Sequence, residues 1–262
     1  MLKMKSFLLF LSAMCLFGCE AHSGDLKSME SAEKEWNKKA SQQLLAYMSL
    51  ETMFPDKNVR ALAEAAGKGK VKKVDKLVSN GVDVNSQGTG KATPLFWAMK
   101  DIDGFTKLLE LGADPNVVFD DGGTVMHWAA KDDDISFLRV ALKYKGDSNV
   151  IAGDQRQTPI FETIGIFGDI GKTPDLDLLI DAGADVNYQN VKGNSPTLVA
   201  ASLGRFDIVY KLLESGADYT VKNKHGSSLE TYIESKKKAL DPNHDLYKWL
   251  VKVETWLNNR KA

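Results

Sequence analysis

A short phrase recurs along this chain and limits what it can fold into: Gly81-Val82-Asp83-Val84-Asn85, Gly112-Ala113-Asp114-Pro115-Asn116, Gly183-Ala184-Asp185-Val186-Asn187 and Gly216-Ala217-Asp218-Tyr219-Thr220. A weaker copy, Gly146-Asp147-Ser148-Asn149, lies between the second and third. From Gly to Gly the steps are 31, 34, 37 and 33 residues. A second phrase runs in phase with the first: Thr93-Pro94-Leu95, Thr124-Val125-Met126-His127, Thr158-Pro159-Ile160 and Ser195-Pro196-Thr197. Ser or Thr caps a helix, Pro suits its first turn, and Gly ends a helix in a left-handed turn. The pattern predicts a stack of helix pairs, each too small to bury its own apolar face alone.

Period and phrases resemble the ankyrin repeat, over roughly residues 58 to 237. The resemblance implies a mostly α solenoid of five to six helix-pair repeats with hairpin tips along one edge. Within it, Gly67-Lys68-Gly69 turns between the first two helices, Tyr188 to Thr220 is the cleanest unit, and the fourth repeat (Val150 to Asn187) is expanded. A sixth unit starts near Val221, Asp241-Pro242 breaks its helix, and a last helix over His244 to Asn258 reads as a cap. Upstream, Met29, Ala32, Trp36, Ala40, Leu44, Tyr47 and Met48 form an apolar stripe at helical spacing, as one long or two shorter helices over Ser28 to Met53.

The N-terminus carries a different signal. Lys3 and Lys5 precede an apolar run, Ser6 to Phe17, in the pattern of a secretory signal peptide. Leu16-Phe17-Gly18-Cys19 resembles the bacterial lipobox, which implies cleavage before Cys19 and a lipid on its thiol. Glu20 rather than Asp after the Cys implies outer-membrane sorting, facing the periplasm. The expected organisation is residues 1–18 as lipoprotein signal, 19–57 as lipidated Cys, tether and N-terminal helix, and 58–262 as repeats with a helical cap. Cys15 lies in the segment to be removed, so the mature chain has no disulfide and depends on stacking. Removal of residues 1–18 takes away two lysines and no acid, moving the formal net charge from −1 to −3. That near balance gives no footprint for nucleic acid.

Chemistry is hard to find in the sequence. The four His are His22, His127, His225 and His244, with no pair at metal-ligand spacing. His127 stands where the resemblance implies a structural imidazole bonded between repeats. Gly88-Thr89-Gly90-Lys91 lacks the first Gly of a phosphate loop, and Ala92 replaces its Ser or Thr, so it reads as a turn. No catalytic residue, metal or cofactor is expected. Trp97 and Trp128 occupy positions of an inward Leu and read as core. Glu162 holds the same position and must be partly exposed or paired across a repeat interface.

The remaining candidates are partner-binding residues. The resemblance implies binding through hairpin tips and the exposed ends of first helices, a strip that includes Asp120, Asp121, Asp132, Asp133, Asp154, Gln155, Lys192, Lys224 and His225. The acids of the third repeat either form a solvated face or steer a basic partner. The insertion from Gly165 to Pro174, with Ile166, Phe167 and Ile170, either anchors a partner or folds back on the stack. The segments Met53-Phe54-Pro55-Asp56, Thr93-Pro94-Leu95-Phe96-Trp97-Ala98 and Leu246-Tyr247-Lys248-Trp249-Leu250 are similar to bacterial ankyrin-repeat lipoproteins, some of which are immunity partners of type VI secretion phospholipase effectors. This resemblance implies a protein partner, a phospholipase effector, with the membrane reached through the lipid anchor. The alternative is a periplasmic scaffold or accessory chaperone for an envelope partner that is not a toxin.

Overall fold

The computed structural model describes residues 49–261, except Asp121, Asp133 and residues 166–168 and the side chain of Lys261. The expected signal segment, Cys19 and most of the N-terminal helix lie outside the described residues.

The repeated phrase acts as a set of clamps. In each copy the Asp carboxylate accepts from the backbone N–H two residues on, as in Asn85 to Asp83 (2.9 Å), Asn116 to Asp114, Asn149 to Asp147 and Asn187 to Asp185 (2.8 Å each). Each Asn then reaches into the next repeat. Asn85 Oδ1 accepts from Asp114 N–H (2.8 Å) while its Nδ2 donates to the Gly112 carbonyl (3.0 Å). Asn116, Asn149 and Asn187 repeat this two-bond bridge. The series ends at Thr220, which only closes its own turn on Asp218. Backbone groups that a bare turn would leave to water are satisfied at each interface that an Asn bridges.

Five repeats follow from this frame. α1 (Leu50–Met53) is a single turn capped by Ser49, which is itself extended, so no helix runs unbroken through Ser49 to Met53. The first repeat is α2 (Lys57–Ala66) and α3 (Val71–Ser79). The second is α4 (Pro94–Trp97), a 3-10 turn over Ala98–Lys100, and α5 (Ile102–Glu110). The step from Gly81 to Gly112, 31 residues, is the shortest of the series, and the shortfall is absorbed there, with Asp101 closing the turn and capping α5 at once. The third is α6 (Val125–Lys131) and α7 (Ile135–Lys143). The fourth has only a 3-10 helix, Pro159–Thr163, before α8 (Pro174–Asp181). The fifth is α9 (Pro196–Leu203) and α10 (Phe206–Glu214). α11 (Leu229–Ala239) opens a sixth unit, and α12 (Asp245–Lys261) packs on both α10 and α11. The first helices begin on Thr93, Thr124, Ser195 and Ser228, whose hydroxyls accept from the third helical N–H. Thr158 makes no such bond, consistent with the tighter 3-10 turn that follows it.

The third copy of the phrase has a different register from the Gly-to-Gly reading. Lys145, not Gly146, occupies the left-handed turn position, at φ +64°. Gly146 aligns with Ala113, and a Cβ there would stand 2.3 Å from Met126 Sδ and 2.7 Å from the Ala141 carbonyl oxygen. Met126 fills the space that Ala occupies elsewhere, and the glycine shifted by one. A left-handed Lys costs roughly 1–2 kcal/mol, part of which glycine loses again as unfolded-state entropy. Lys145→Gly is therefore expected to stabilise the chain by about 0.5 kcal/mol, read as a small rise in thermal midpoint.

The core is one continuous apolar column. Phe54, Leu62, Leu95, Phe105, Leu108, Met126, Leu138, Ile160, Leu176, Leu179 and Phe206 are all fully buried along it. Trp97 and Trp128, read as core, pack against this column but stay half-buried. Trp97 lies against Gly67, and Lys100 Nζ stands 3.0 Å above its ring centre. Indole is longer than the Leu it replaces, so its outer ring extends past the helix pair.

Candidate protein-binding surface

The hairpin tips line up because they bond to one another. Asp120 N–H donates to the Gly90 carbonyl (3.0 Å), Val191 N–H to Gln155 (3.1 Å) and Lys224 N–H to Lys192 (3.0 Å). At Gly122 a Cβ would come within 2.6 Å of Gly153 Cα, so the third and fourth tips touch through bare backbone. This pairing turns separate loops into one edge. Exposed Asp120, Asp154, Lys192, Lys224 and His225 all project from it, with Gln155 half-buried. His225 N–H is turned onto Asn223 Oδ1, leaving the ring exposed.

Beside the tips stands an aromatic group. Phe96 contacts Phe119 (5.1 Å between centroids) and Trp128 (5.6 Å), and both Phe96 and Trp128 remain half-buried. Two large, rigid, partly wet rings next to a charged edge have the composition of an interface centre. Val118 and Ile151, 43% and 40% exposed, extend this apolar surface on the third and fourth hairpins.

The described acids of the third repeat each have a local partner. Asp120 pairs with Lys91 across the tips at 3.2 Å. Asp132 accepts from Asp134 N–H, and Asp134 caps α7 by accepting from Ser136 N–H, which holds its carboxyl below the usual range. Two of these acids therefore have local work in turning the chain. Asp121 and Asp133 lie outside the described residues, as do Ile166 and Phe167.

His127 is a structural imidazole. Nε2 faces the Gln157 carbonyl at 3.1 Å, which can only accept, so Nε2 carries the proton and Nδ1 accepts from the Thr124 hydroxyl at 2.8 Å. Burial pushes its pKa below the ordinary 6.5, although the Gln157 bond and the Glu162 charge pull the other way. Glu162 is half-buried, close enough to be felt by the imidazole. The sign follows: below about pH 6.5 the unfolded chain takes a proton that the folded chain refuses. Stability is expected to fall as pH drops below that value, and urea titrations of His127→Gln should lose this slope.

The insertion of the fourth repeat is tied down at both ends by a feature absent from the sequence reading. Arg205 and Asp207 form a two-pronged ion pair, Nε to Oδ1 at 2.9 Å and Nη2 to Oδ2 at 2.8 Å, with side chains 4% and 0% exposed. Arg205 Nη1 donates to the Gly165 carbonyl, and Gly171 N–H donates to Asp207 Oδ2 at 2.9 Å. Burial alone would raise the Asp207 carboxyl, but the Arg205 bonds, the Gly171 N–H and the Arg205 charge outweigh it and hold the group below the usual range. The ends of the insertion thus fold back on the fifth repeat, and Ile170 stays 37% exposed. The only hint in the sequence is an Arg-x-Asp at the start of a helix, facing an expanded Gly-rich loop.

A cleft of about 260 Å³ lies beside this clamp, walled by Gly171, Thr173, Asp177, Tyr210, Lys211 and Trp249. It is smaller than ordinary small-molecule sites, and Asp177 is engaged by Lys211 at 2.7 Å and by Thr173. Among the described residues no three His, Cys, Asp or Glu stand together as a metal site, and no helix is long and apolar enough to cross a membrane.

Comparison with known proteins agrees with the fold. The family model for ankyrin repeats (3 copies) matches residues 126–223. Protein PhlB of Serratia liquefaciens is 30% identical over 147 residues, covering 55% of this chain and 63% of that protein. A putative palmitoyltransferase ZDHHC13 of Danio rerio is 30% identical over 177 residues, covering 66% of this chain and 27% of that protein. The chain therefore spans less than two thirds of either relative. Among solved structures, an ankyrin repeat domain from Acinetobacter baumannii AYE superimposes with TM-score 0.62 at 22% identity, over 72% of this chain and 95% of that one. A chain from the complex of a predatory endopeptidase of Bdellovibrio bacteriovorus with an immunity protein matches with TM-score 0.58 at 26% identity, over 73% and 97%.

Proposed function

We propose that this stack of ankyrin repeats is a membrane-anchored periplasmic immunity protein, which binds and neutralises a secreted phospholipase toxin. The repeats form a protein-binding module, and a partner would meet the tip edge together with Phe96 and Trp128. The observation that carries the toxin reading is the likeness, over 97% of its length, to a chain from an endopeptidase–immunity protein complex. Lipid on Cys19 and an outer-membrane site facing the periplasm complete the proposal.

The test is capture by the mature chain from the producing cells, followed by an assay of what is recovered. A phospholipase whose lipid hydrolysis stops at one equivalent of the chain supports the reading. Recovery of a peptidase would change the target class, and recovery of no lytic enzyme would sink the immunity role. Cys19→Ser should release the protein from the membrane fraction; retention after a salt wash would exclude the lipid anchor.

The acidic edge makes its own prediction. Asp120→Asn with Asp132→Asn keeps one acceptor oxygen at each site and removes two charges, so stability should change by no more than about 0.5 kcal/mol per site. Association with a basic partner should slow at low salt, and the difference should shrink once the Debye length falls to about 8 Å at physiological salt. Equal association rates at low salt would leave those acids with their capping and turn roles only.

A further inference from the structure

The first repeat is charged unlike the others. Between Lys57 and Lys76 the sequence holds seven cations and two carboxylates. Both carboxylates are engaged, Glu64 by Lys68 and Asp75 by Lys107 of α5 at 2.8 Å. Lys70, Lys72, Lys73 and Lys76 are exposed and, among the described residues, form no ion pair. At 3.6 residues per turn, Lys72, Lys73 and Lys76 fall within an arc of about 100° on the side of α3 away from fully buried Val74.

This arrangement works against the helix that carries it. α3 starts on Lys70, with no side-chain cap and no acid in its first turn. By contrast α5 has Asp101 and Asp103, α7 has Asp134, α8 has Asp175 and Asp177, and α10 has Asp207 in the equivalent place. Lysines at a helix N-terminus oppose its dipole, and Lys72 repels Lys76 one turn on. A local rule broken on an exposed face, without a gain inside the fold, points to something outside it.

We propose that α3 and its lysines form a docking face for an anionic phospholipid surface, orienting the repeat stack on the membrane. The inference rests on the membrane-anchored reading in one respect. The first repeat is the one nearest in sequence to the apolar run Ser6–Phe17 and Cys19. One lipid signal gains from a second, and a polybasic face beside it is a common partner. The remainder of the chain is not basic, since the whole carries a net charge of −1, so the patch is local rather than a general affinity for polyanions.

The test uses the chain from residue 19 onward with Cys19→Ser, so no acyl group contributes. It is sedimented with vesicles of phosphatidylethanolamine plus phosphatidylglycerol, and with phosphatidylcholine alone. The expected result is binding to the anionic vesicles only, weakening as salt rises. Replacing Lys72, Lys73 and Lys76 with Gln should lower the partition coefficient by about fivefold per lysine, and replacing them with Arg should preserve it. Equal binding to phosphatidylcholine, or no effect of the Gln variant, overturns the proposal. So would lysine-dependent retention on polyglutamate or single-stranded DNA that exceeds binding to the vesicles. Because no acyl chain is present, failure here leaves the Cys19 anchor untouched, and failure of the anchor leaves this result standing.

Discussion

A chain ending at Ala239 should melt about 10 °C or more below the full chain and aggregate on heating. The residues removed include all of α12, whose Leu250 and Val253 are fully buried and whose Trp256 and Leu257 are 8% and 4% exposed. α12 lies on α10 and α11, in the place that a sixth repeat's second helix would take. Its hold is specific as well as apolar. Trp256 stacks edge-on to Tyr219 at 5.8 Å and donates through Nε1 to Glu214, while Trp249 leans on Tyr210 at 5.7 Å. Without α12 the apolar face of the last complete repeat meets water, as happens to any solenoid that loses its terminal cap. Several kcal/mol of lost burial, at about 2–4 °C per kcal/mol for a domain of this size, gives the expected shift. Leu250→Ala should give a part of it, about 2–5 kcal/mol, without shortening the chain. An unchanged thermal midpoint on truncation would show that α12 is not a cap.

Arg205→Ala should cost about 3–5 kcal/mol, more than almost any other single polar substitution in the chain, because it strands a buried carboxylate. Asp207 would keep only the backbone N–H groups of Gly171 and Ile208 and no opposite charge, and the Gly165 carbonyl would lose its donor. The loop between them is then free at both ends, so limited proteolysis should cut within residues 165–171 before it cuts elsewhere. The double variant Arg205→Met with Asp207→Leu removes both charges and is expected to recover much of the stability but not the protection of the loop. That split separates the energetic role of the pair from its clamping role. In the unaltered chain, the lowered Asp207 carboxyl contributes stability that is present above about pH 3.8 and lost as pH falls through the folded value. If Arg205→Ala melts like the original and its loop resists protease, the pair holds nothing.

Much of this architecture was legible because it is written locally. Thr93, Thr124 and Ser195 cap their helices through a hydroxyl and an N–H three residues apart, and Asp83, Asp114 and Asp185 close turns two residues long. Such bonds depend on the order of residues alone, so the helix pairs and their tips could be placed from the phrases. The break at Asp241-Pro242 and the helix after it are of the same kind, since proline acts on its immediate neighbours. The binding residues were less legible. Asp132 and Asp134 read as a solvated face or as steering charge, and the structure adds that each also accepts from a neighbouring backbone N–H. Trp128 reads as core, whereas it packs against the column half-buried, beside Phe96.

By itself the sequence determined the repeat, the number of units and the caps, because each rests on spacings of two to four residues or on a repeat period, while the structural place of His127 followed from the resemblance to ankyrin repeats. Tertiary structure decided the rest. Lys145 displaced glycine from the left-handed position because Met126, twenty residues earlier, fills the space beside Gly146. The ends of the expanded loop are held on the fifth repeat because the buried pair Arg205 and Asp207 takes further partners in the Gly165 carbonyl and the Gly171 N–H. Those contacts join residues about forty positions apart, and desolvation makes them binding: a buried charge takes whatever partners the fold brings near, and no local pattern announces which.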